Sequence, residues 1–140
     1  MVEANSPAVG DLFICASSEV EEGGRGVRFP VTAFGDQATG FVVRYSGVAY
    51  AYLNRCAHVP IELDWAQGEF FESSGLYLMC ATHGAIYVPD SGYCAGGPCK
   101  GARLRSIAVR EEGGSIYWTP DEFIKPPAAP PIPQATTSEP

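Results

Sequence analysis

The sequence predicts an antiparallel all-β domain. Short apolar or alternating runs recur along it, Gly, Ser, Asp and Pro separate them, and no window sustains a helical period. Val, Ile, Tyr and Phe, which pack well on a pleated surface, are concentrated in the runs. The first are DLFICA from Asp11 and RFPVTAF from Arg28. GFVVRYSGVAYAYLN, from Gly40 to Asn54, divides at Ser46-Gly47 into a hairpin, because Gly supplies the positive φ that a tight turn needs. GLYLMC from Gly75 and AIYVPDSG from Ala85 are shorter, and LRSIAVREEGGSIYW from Leu104 makes a second hairpin around Glu111 to Gly114. The twin EEGG strings, at Glu21 and Glu111, read as turn chemistry rather than a repeat. The tail KPPAAPPIPQATTSEP offers little to bury and is expected to be extended or disordered.

A chain of 140 residues suits one domain, and no apolar run approaches the roughly twenty residues of a membrane span. The N-terminus MVEANSPAVGDLF has neither a basic cluster nor an apolar core, so a soluble protein without a secretory signal, made and kept in the cytoplasm, is expected. There, cysteines serve more often as ligands or reactive thiols than as disulfides, and 5 of them is an odd number for a disulfide framework. A net charge of −7 argues against a nucleic-acid partner, which requires a basic face. Between Cys56 and Cys99 there is no Lys or Arg, whereas Glu62, Asp64, Glu69, Glu72 and Asp90 all fall there, which implies an acidic lobe.

The chemistry lies in two boxes, Cys56-Ala57-His58 and Cys80-Ala81-Thr82-His83. The chain has 2 His and 5 Cys, and each His sits within three residues of a cysteine. Thiolates and imidazoles are soft to borderline ligands, so a metal site is the natural reading. Structural zinc prefers paired cysteines at C-x2-C or a helix carrying H-x3-H, and neither is present. One Cys and one His from each of two loops instead suit a two-iron cluster with both Cys on one iron and both His on the other; a structural zinc clamp is the alternative.

CAH followed by CATHGAIY and GGPCKG resembles the Rieske iron-sulfur family, and the resemblance runs through PDSGYCAGGP, from roughly Asp11 to Trp118. It implies one [2Fe-2S] cluster per chain, with Cys56 and Cys80 on the inner iron and His58 and His83 on the outer iron near the surface. It also implies a β base domain (10–53 and 99–119) interrupted by a small cluster-binding lobe (54–98), with a tail at 121–140. A loop containing Gly96-Gly97-Pro98 covers the cluster. Gly84 suits close backbone approach to the cluster sulfurs.

Respiratory and photosynthetic members carry two further bridging cysteines, at positions that correspond to Ile61 and Thr82, so that disulfide cannot form here. The resemblance is closer to the soluble Rieske ferredoxins of bacterial oxygenases, with a longer spacer whose extra length, WAQGEFFESSG, is placed as a loop beside the cluster. Hydrogen bonds to the cluster set potentials that span roughly −150 to +300 mV in the family. High-potential relatives have a Ser and a Tyr where this chain has Ala85 and Tyr87, so a low to intermediate potential is expected, raised if the Tyr87 hydroxyl reaches a ligand sulfur. Cys15 reads as a small buried hydrophobe. Cys94 and Cys99 flank the Pro loop and are expected as two thiols in the cytoplasm.

The resemblance implies a one-electron carrier between a reductase and a terminal oxygenase or other oxidoreductase, docking through basic faces on its partners. The alternative is a small subunit fixed in a larger reductase, as in nitrite-reductase relatives. Catalysis by this chain alone is not expected, because an oxygenase needs a mononuclear iron on two further His and a carboxylate, and no His is spare.

Overall fold

The computed structural model describes residues 11–57, 61–64, 66–99 and 101–127. Of the tail at 121–140, expected to be extended or disordered, residues 121–127 are described and correct that expectation in part. Ile124–Lys125 is a strand paired antiparallel with Thr32–Ala33, held by the burial of Ile124 in the core, while the residues from 128 onward lie outside the described residues. The strands are β1 (Leu12–Ala16), β2 (Val27–Ala33), β3 (Asp36–Tyr45), β4 (Val48–Leu53), β5 (Leu78–Met79), β6 (Ile86–Tyr87), β7 (Cys94–Gly96), β8 (Ser106–Glu112), β9 (Ser115–Thr119) and β10 (Ile124–Lys125). All strand pairs are antiparallel. They form a 7-stranded sheet in the order β10-β2-β3-β4-β8-β9-β1 and a 3-stranded sheet β5-β6-β7. Among the described residues the helical content is one 3-10 turn, Ser17–Glu19.

The run GFVVRY is apolar on both faces for a structural reason. Successive side chains of a strand point to opposite sides, and β3 has a core on each. Val42 enters a core with Phe29, Val31, Leu53, Ile107 and Trp118, while Phe41 and Val43 enter a second core with Phe70, Leu78, Cys80 and Tyr87. β4 divides in the same way, with Ala51 and Leu53 in the first core and Tyr52 in the second. Gly40 on β3 is required by packing, because a Cβ there would stand 2.6 Å from Cζ of Phe29.

Both expected hairpins form. Ser46 and Gly47 have φ of 53° and 80°, and Gly113 and Gly114 have φ of 60° and 82°, the paired positive values that match the twist of a two-residue turn. The first EEGG string also caps a turn: the Glu22 carboxylate accepts the Ser46 and Gly47 amides, each at 2.7 Å.

The second EEGG string supplies a cross-sheet ion pair. Arg44 on β3 meets Glu111 at 2.8 Å and donates as well to the Ser17 and Val20 carbonyls. The two hydrogen bonds from the Arg44 guanidinium hold the Glu111 carboxyl at about 2, well below its ordinary 4.5. A carboxyl depressed in the folded state stabilises it above the unfolded value, and that stability is lost as pH falls through the folded value. Thermal stability should therefore decline between about pH 4.5 and 2, and Glu111→Gln should flatten part of the decline. Equal pH slopes for the two proteins would remove this role.

The spacer WAQGEFFESSG, expected as a loop beside the cluster, runs through turns and one isolated bridge, and its Phe70 enters the core that holds Cys56 and Cys80. Trp65 lies outside the described residues; of the rest, Phe70 packs on the large sheet and Phe71 on the small one, while Ala66, Gln67, Glu69, Ser73 and Ser74 are exposed. Phe70 stacks on Phe41 with centroids 4.0 Å apart, Phe71 bridges Leu78, and a Cβ on Gly75 would sit 3.1 Å from the Gly23 carbonyl oxygen. Apolar Phe70 drives this, since its burial outweighs exposure at a loop tip.

Candidate metal centre

The first box follows β4 directly. Asn54 and Asp64, both buried, close it: Asn54 Nδ2 donates to Asp64 Oδ1 at 2.9 Å, Asn54 Oδ1 accepts the Leu63 amide at 2.9 Å, and Asp64 Oδ2 accepts the Gly68 amide at 3.0 Å. Arg28 of β2 lies 3.6 Å from Asp64 and 2.8 Å from Glu62. Inside this frame the Cys56 amide donates to the Ile61 carbonyl at 2.7 Å, fixing Cys56 with only 3% of its surface exposed. Sequence reading assigned Asn54, Asp64 and Arg28 no such role.

The second box is a tight turn after β5. The Cys80 amide donates to the Ala85 carbonyl, and the Gly84 amide donates back to the Cys80 carbonyl. The two boxes are tied together, because the Ala81 amide donates to Leu63 at 3.0 Å. Gly84 has φ of 73°, and a Cβ there would meet no protein atom within 4 Å. Within the chain, the left-handed turn is what calls for glycine at this position.

Cys56 and Cys80 come within hydrogen-bonding reach of each other, and the amides of Thr82 and His83 point at the Cys80 sulfur. Burial raises the Cys80 thiol, the Cys56 sulfur raises it further, and the two amides pull it down. Tyr87, fully buried on β6, sets its hydroxyl 3.2 Å from Cys56 Sγ and 3.0 Å from the Ala57 amide. Because the hydroxyl oxygen accepts from Ala57, its own proton is available to the sulfur. Burial pushes the Tyr87 phenol up, so it stays protonated and can donate.

His83 is exposed at the tip, with Ala81, Thr82 and Gly84 beside it, and His58 lies outside the described residues. Among the described residues no three His, Cys, Asp or Glu side chains gather around one point that could hold a metal ion. The third loop reaches the second box through Gly97, where a Cβ would stand 3.0 Å from Cα of Ala85; Pro98 is exposed beside it.

Two sequence expectations are corrected here. Cys94 and Cys99 form a disulfide rather than two thiols. β7 returns along β6, and the Cys94 amide donates to Ala102 while the Ala102 amide donates to Cys99, which brings the two Cα atoms to 5.6 Å, within bridging range. The acidic lobe is also smaller than the composition implies: Asp64 is buried and Glu62 is paired with Arg28, which leaves Glu69, Glu72 and Asp90.

Two buried sulfurs and an exposed imidazole, carried by loops of a β domain, define a class of protein whose candidate centre has sulfur donors inside and a nitrogen donor at the surface. Comparison with known proteins narrows that class: the Rieske [2Fe-2S] domain matches residues 11–112, and the chain belongs to that family. No curated protein matches it. Among solved structures it is similar to the ferredoxin of carbazole 1,9a-dioxygenase from Nocardioides aromaticivorans IC177, with 25% identity and a TM-score of 0.59 over 79% of this chain and 98% of that one. It is similar, at 24% identity and a TM-score of 0.60, to a chain in the complex of reduced oxygenase and oxidized ferredoxin in carbazole 1,9a-dioxygenase, over 79% of this chain and 93% of that one. The terminal oxygenase of carbazole 1,9a-dioxygenase from Novosphingobium sp. KA1 matches at 25% identity and a TM-score of 0.60, over 86% of this chain but 33% of its own. The family and the ferredoxin fold are those of an electron-transfer component.

The donor set fits the family's cluster. Two adjacent buried sulfurs would supply thiolates to an inner iron, amides and a phenol stand ready to hydrogen-bond sulfur, and exposed His83 would serve an outer one.

Proposed function

We propose that the protein carries single electrons from a reductase to a terminal oxygenase through one Rieske [2Fe-2S] cluster, held by Cys56 and Cys80 on the inner iron and His58 and His83 on the outer. The observation that carries this reading is the approach of Cys56 and Cys80 under the Tyr87 hydroxyl, with His83 exposed on the same turn as Cys80. When bound, the cluster supplies a one-electron redox couple. The chain's own residues hold it: Asn54, Asp64 and Arg28 fix the first loop, and the Ala81 to Leu63 hydrogen bond sets the loops' spacing. The second core, closed by Phe41, Phe70 and Leu63, excludes water behind the sulfurs. The two boxes and the smaller sheet form the cluster-binding lobe (54–98), which packs through the second core on the 7-stranded sheet of the base.

The exit for the electron is the tip that carries His83, which lies among uncharged residues. The partner carries a basic docking face. Attraction to it comes from the net charge of −7, exposed Glu69 and Asp90 and half-buried Glu72 rather than from contact charges at the tip. Reduction by the partner should accordingly slow as ionic strength rises, and a rate independent of salt would remove the electrostatic steering. Work in the cytoplasm follows from the same reading, and no helix among the described residues is long and apolar enough to cross a membrane.

Iron, sulfide and zinc analysis of anaerobically purified protein, with visible and low-temperature EPR spectra after dithionite, tests the reading. Iron and sulfide in equal amounts, with the reduced-state signal of a histidine-ligated cluster, is expected. A colourless protein holding zinc and no sulfide would overturn it.

A further inference from the structure

The Cys94–Cys99 bridge is not among the expected cluster ligands, yet it spans the loop that packs on the second box. Its ring contains Gly96, Gly97 and Pro98. At the apex, Gly97 stands so close to the second box that an added Cβ would be 3.0 Å from Cα of Ala85 and 3.1 Å from the Gly84 carbonyl oxygen. At its base, Cys94 pairs in β-register with Tyr87, whose hydroxyl meets Cys56. Cys99 is anchored in the second core, 2% exposed, beside Cys80 and Ala85. One covalent bond therefore fixes a loop in backbone contact with one box and in register with the residue that touches the other.

The two sulfurs differ in access. Cys99 is buried, whereas Cys94 is half-buried and so the more accessible residue of the pair. The Gly96 and Ile86 carbonyl oxygens stand 3.4 and 3.7 Å from Cys99 Sγ, in position to accept a thiol proton there.

We propose that Cys94–Cys99 is a dithiol–disulfide switch that sets how firmly the Pro98 loop is seated on the second box, and through it the retention of the cluster; the second half of this statement rests on the electron-carrier reading. The reactant is a small or protein dithiol. Its thiolate attacks Cys94 Sγ, the Cys94–Cys99 bond breaks, and Cys99 leaves and takes up a proton, donating it to Gly96 or Ile86. The reactant's second thiol then displaces Cys94 as a thiol. Two electrons and two protons pass to the protein, and the dithiol becomes a disulfide. Opening the ring releases the loop from its closure constraint, so its local opening becomes more frequent.

The test uses the full-length protein as isolated without reductant. Alkylation after denaturation should modify Cys15, Cys56 and Cys80 alone, and after dithiothreitol all 5 cysteines. Amide hydrogen exchange across residues 81–98 should quicken about tenfold on reduction. The double variant Cys94→Ser/Cys99→Ser should behave as the reduced form and be insensitive to dithiothreitol. Loss of visible absorbance into a chelator should accelerate by a similar factor. Alkylation of all five cysteines without reductant would overturn the proposal, as would exchange across 81–98 that neither dithiothreitol nor the double variant alters. Should the protein prove to hold no iron, the electron-carrier reading fails, while thiol counts and exchange still decide whether the bridge seats the loop.

Discussion

Asp64→Ala should destabilise the protein by about 3 kcal/mol and lower the iron content of the purified protein. Asp64 is buried, and its two oxygens accept from Asn54 Nδ2 and the Gly68 amide, with Arg28 at 3.6 Å. Truncation leaves two buried donors without acceptors and removes one of the two carboxylates beside Arg28; each stranded donor costs about 1 to 3 kcal/mol. The structural consequence passes straight to the sulfurs. Asn54 loses the partner that orients it, Asn54 Oδ1 then releases the Leu63 amide, and the Leu63 carbonyl is what the Ala81 amide uses to tie the second box to the first. Asp64→Asn keeps an acceptor for one donor and should lose roughly half as much. Urea unfolding of the three proteins, with iron analysis, measures the effect. A loss below about 1 kcal/mol in Asp64→Ala would mean that water or relaxation satisfies the stranded groups and that the frame is not what positions Cys56.

This network also marks where the sequence stops being legible. The strands and both hairpins can be read from alternation and glycine because those signals are local: φ of 80° at Gly47 needs no tertiary partner. The boxes stand out because chain neighbours supply a thiol and an imidazole. Asp64 cannot be distinguished from Glu62 in the same way. Both read as acidic surface, and only the fold, which sets Arg28 and Asn54 beside them, buries one and leaves the other exposed. β7 and β10, of three and two residues, are too short for periodicity and exist through their partners, Ile86–Tyr87 and Thr32–Ala33. The disulfide expectation rested on compartment alone, which carries no information on whether two Cα atoms sit 5.6 Å apart.

Tyr87→Phe separates chemistry from packing at the same site. The ring is fully buried against both boxes, and Phe retains that surface, so any change reports the hydroxyl. The hydroxyl performs two tasks: it accepts the Ala57 amide at 3.0 Å and stands 3.2 Å from Cys56 Sγ. The first task predicts a stability loss of about 1 to 2 kcal/mol, from a partly buried amide left without an acceptor. The second predicts a lower midpoint potential. A proton donated to a ligand sulfur stabilises the reduced, more negative state more than the oxidised one, and a difference of about 1 kcal/mol corresponds to roughly 40 mV for one electron. Protein-film voltammetry and thermal unfolding of the two proteins read the tasks independently. A stability loss with an unchanged midpoint would assign the hydroxyl to the Ala57 amide alone, and the potential would then be set by the Thr82 and His83 amides aimed at Cys80. A lowered midpoint would make Tyr87 the link between the small sheet and the electron, because β6 carries Tyr87 and pairs with the strand that begins at Cys94.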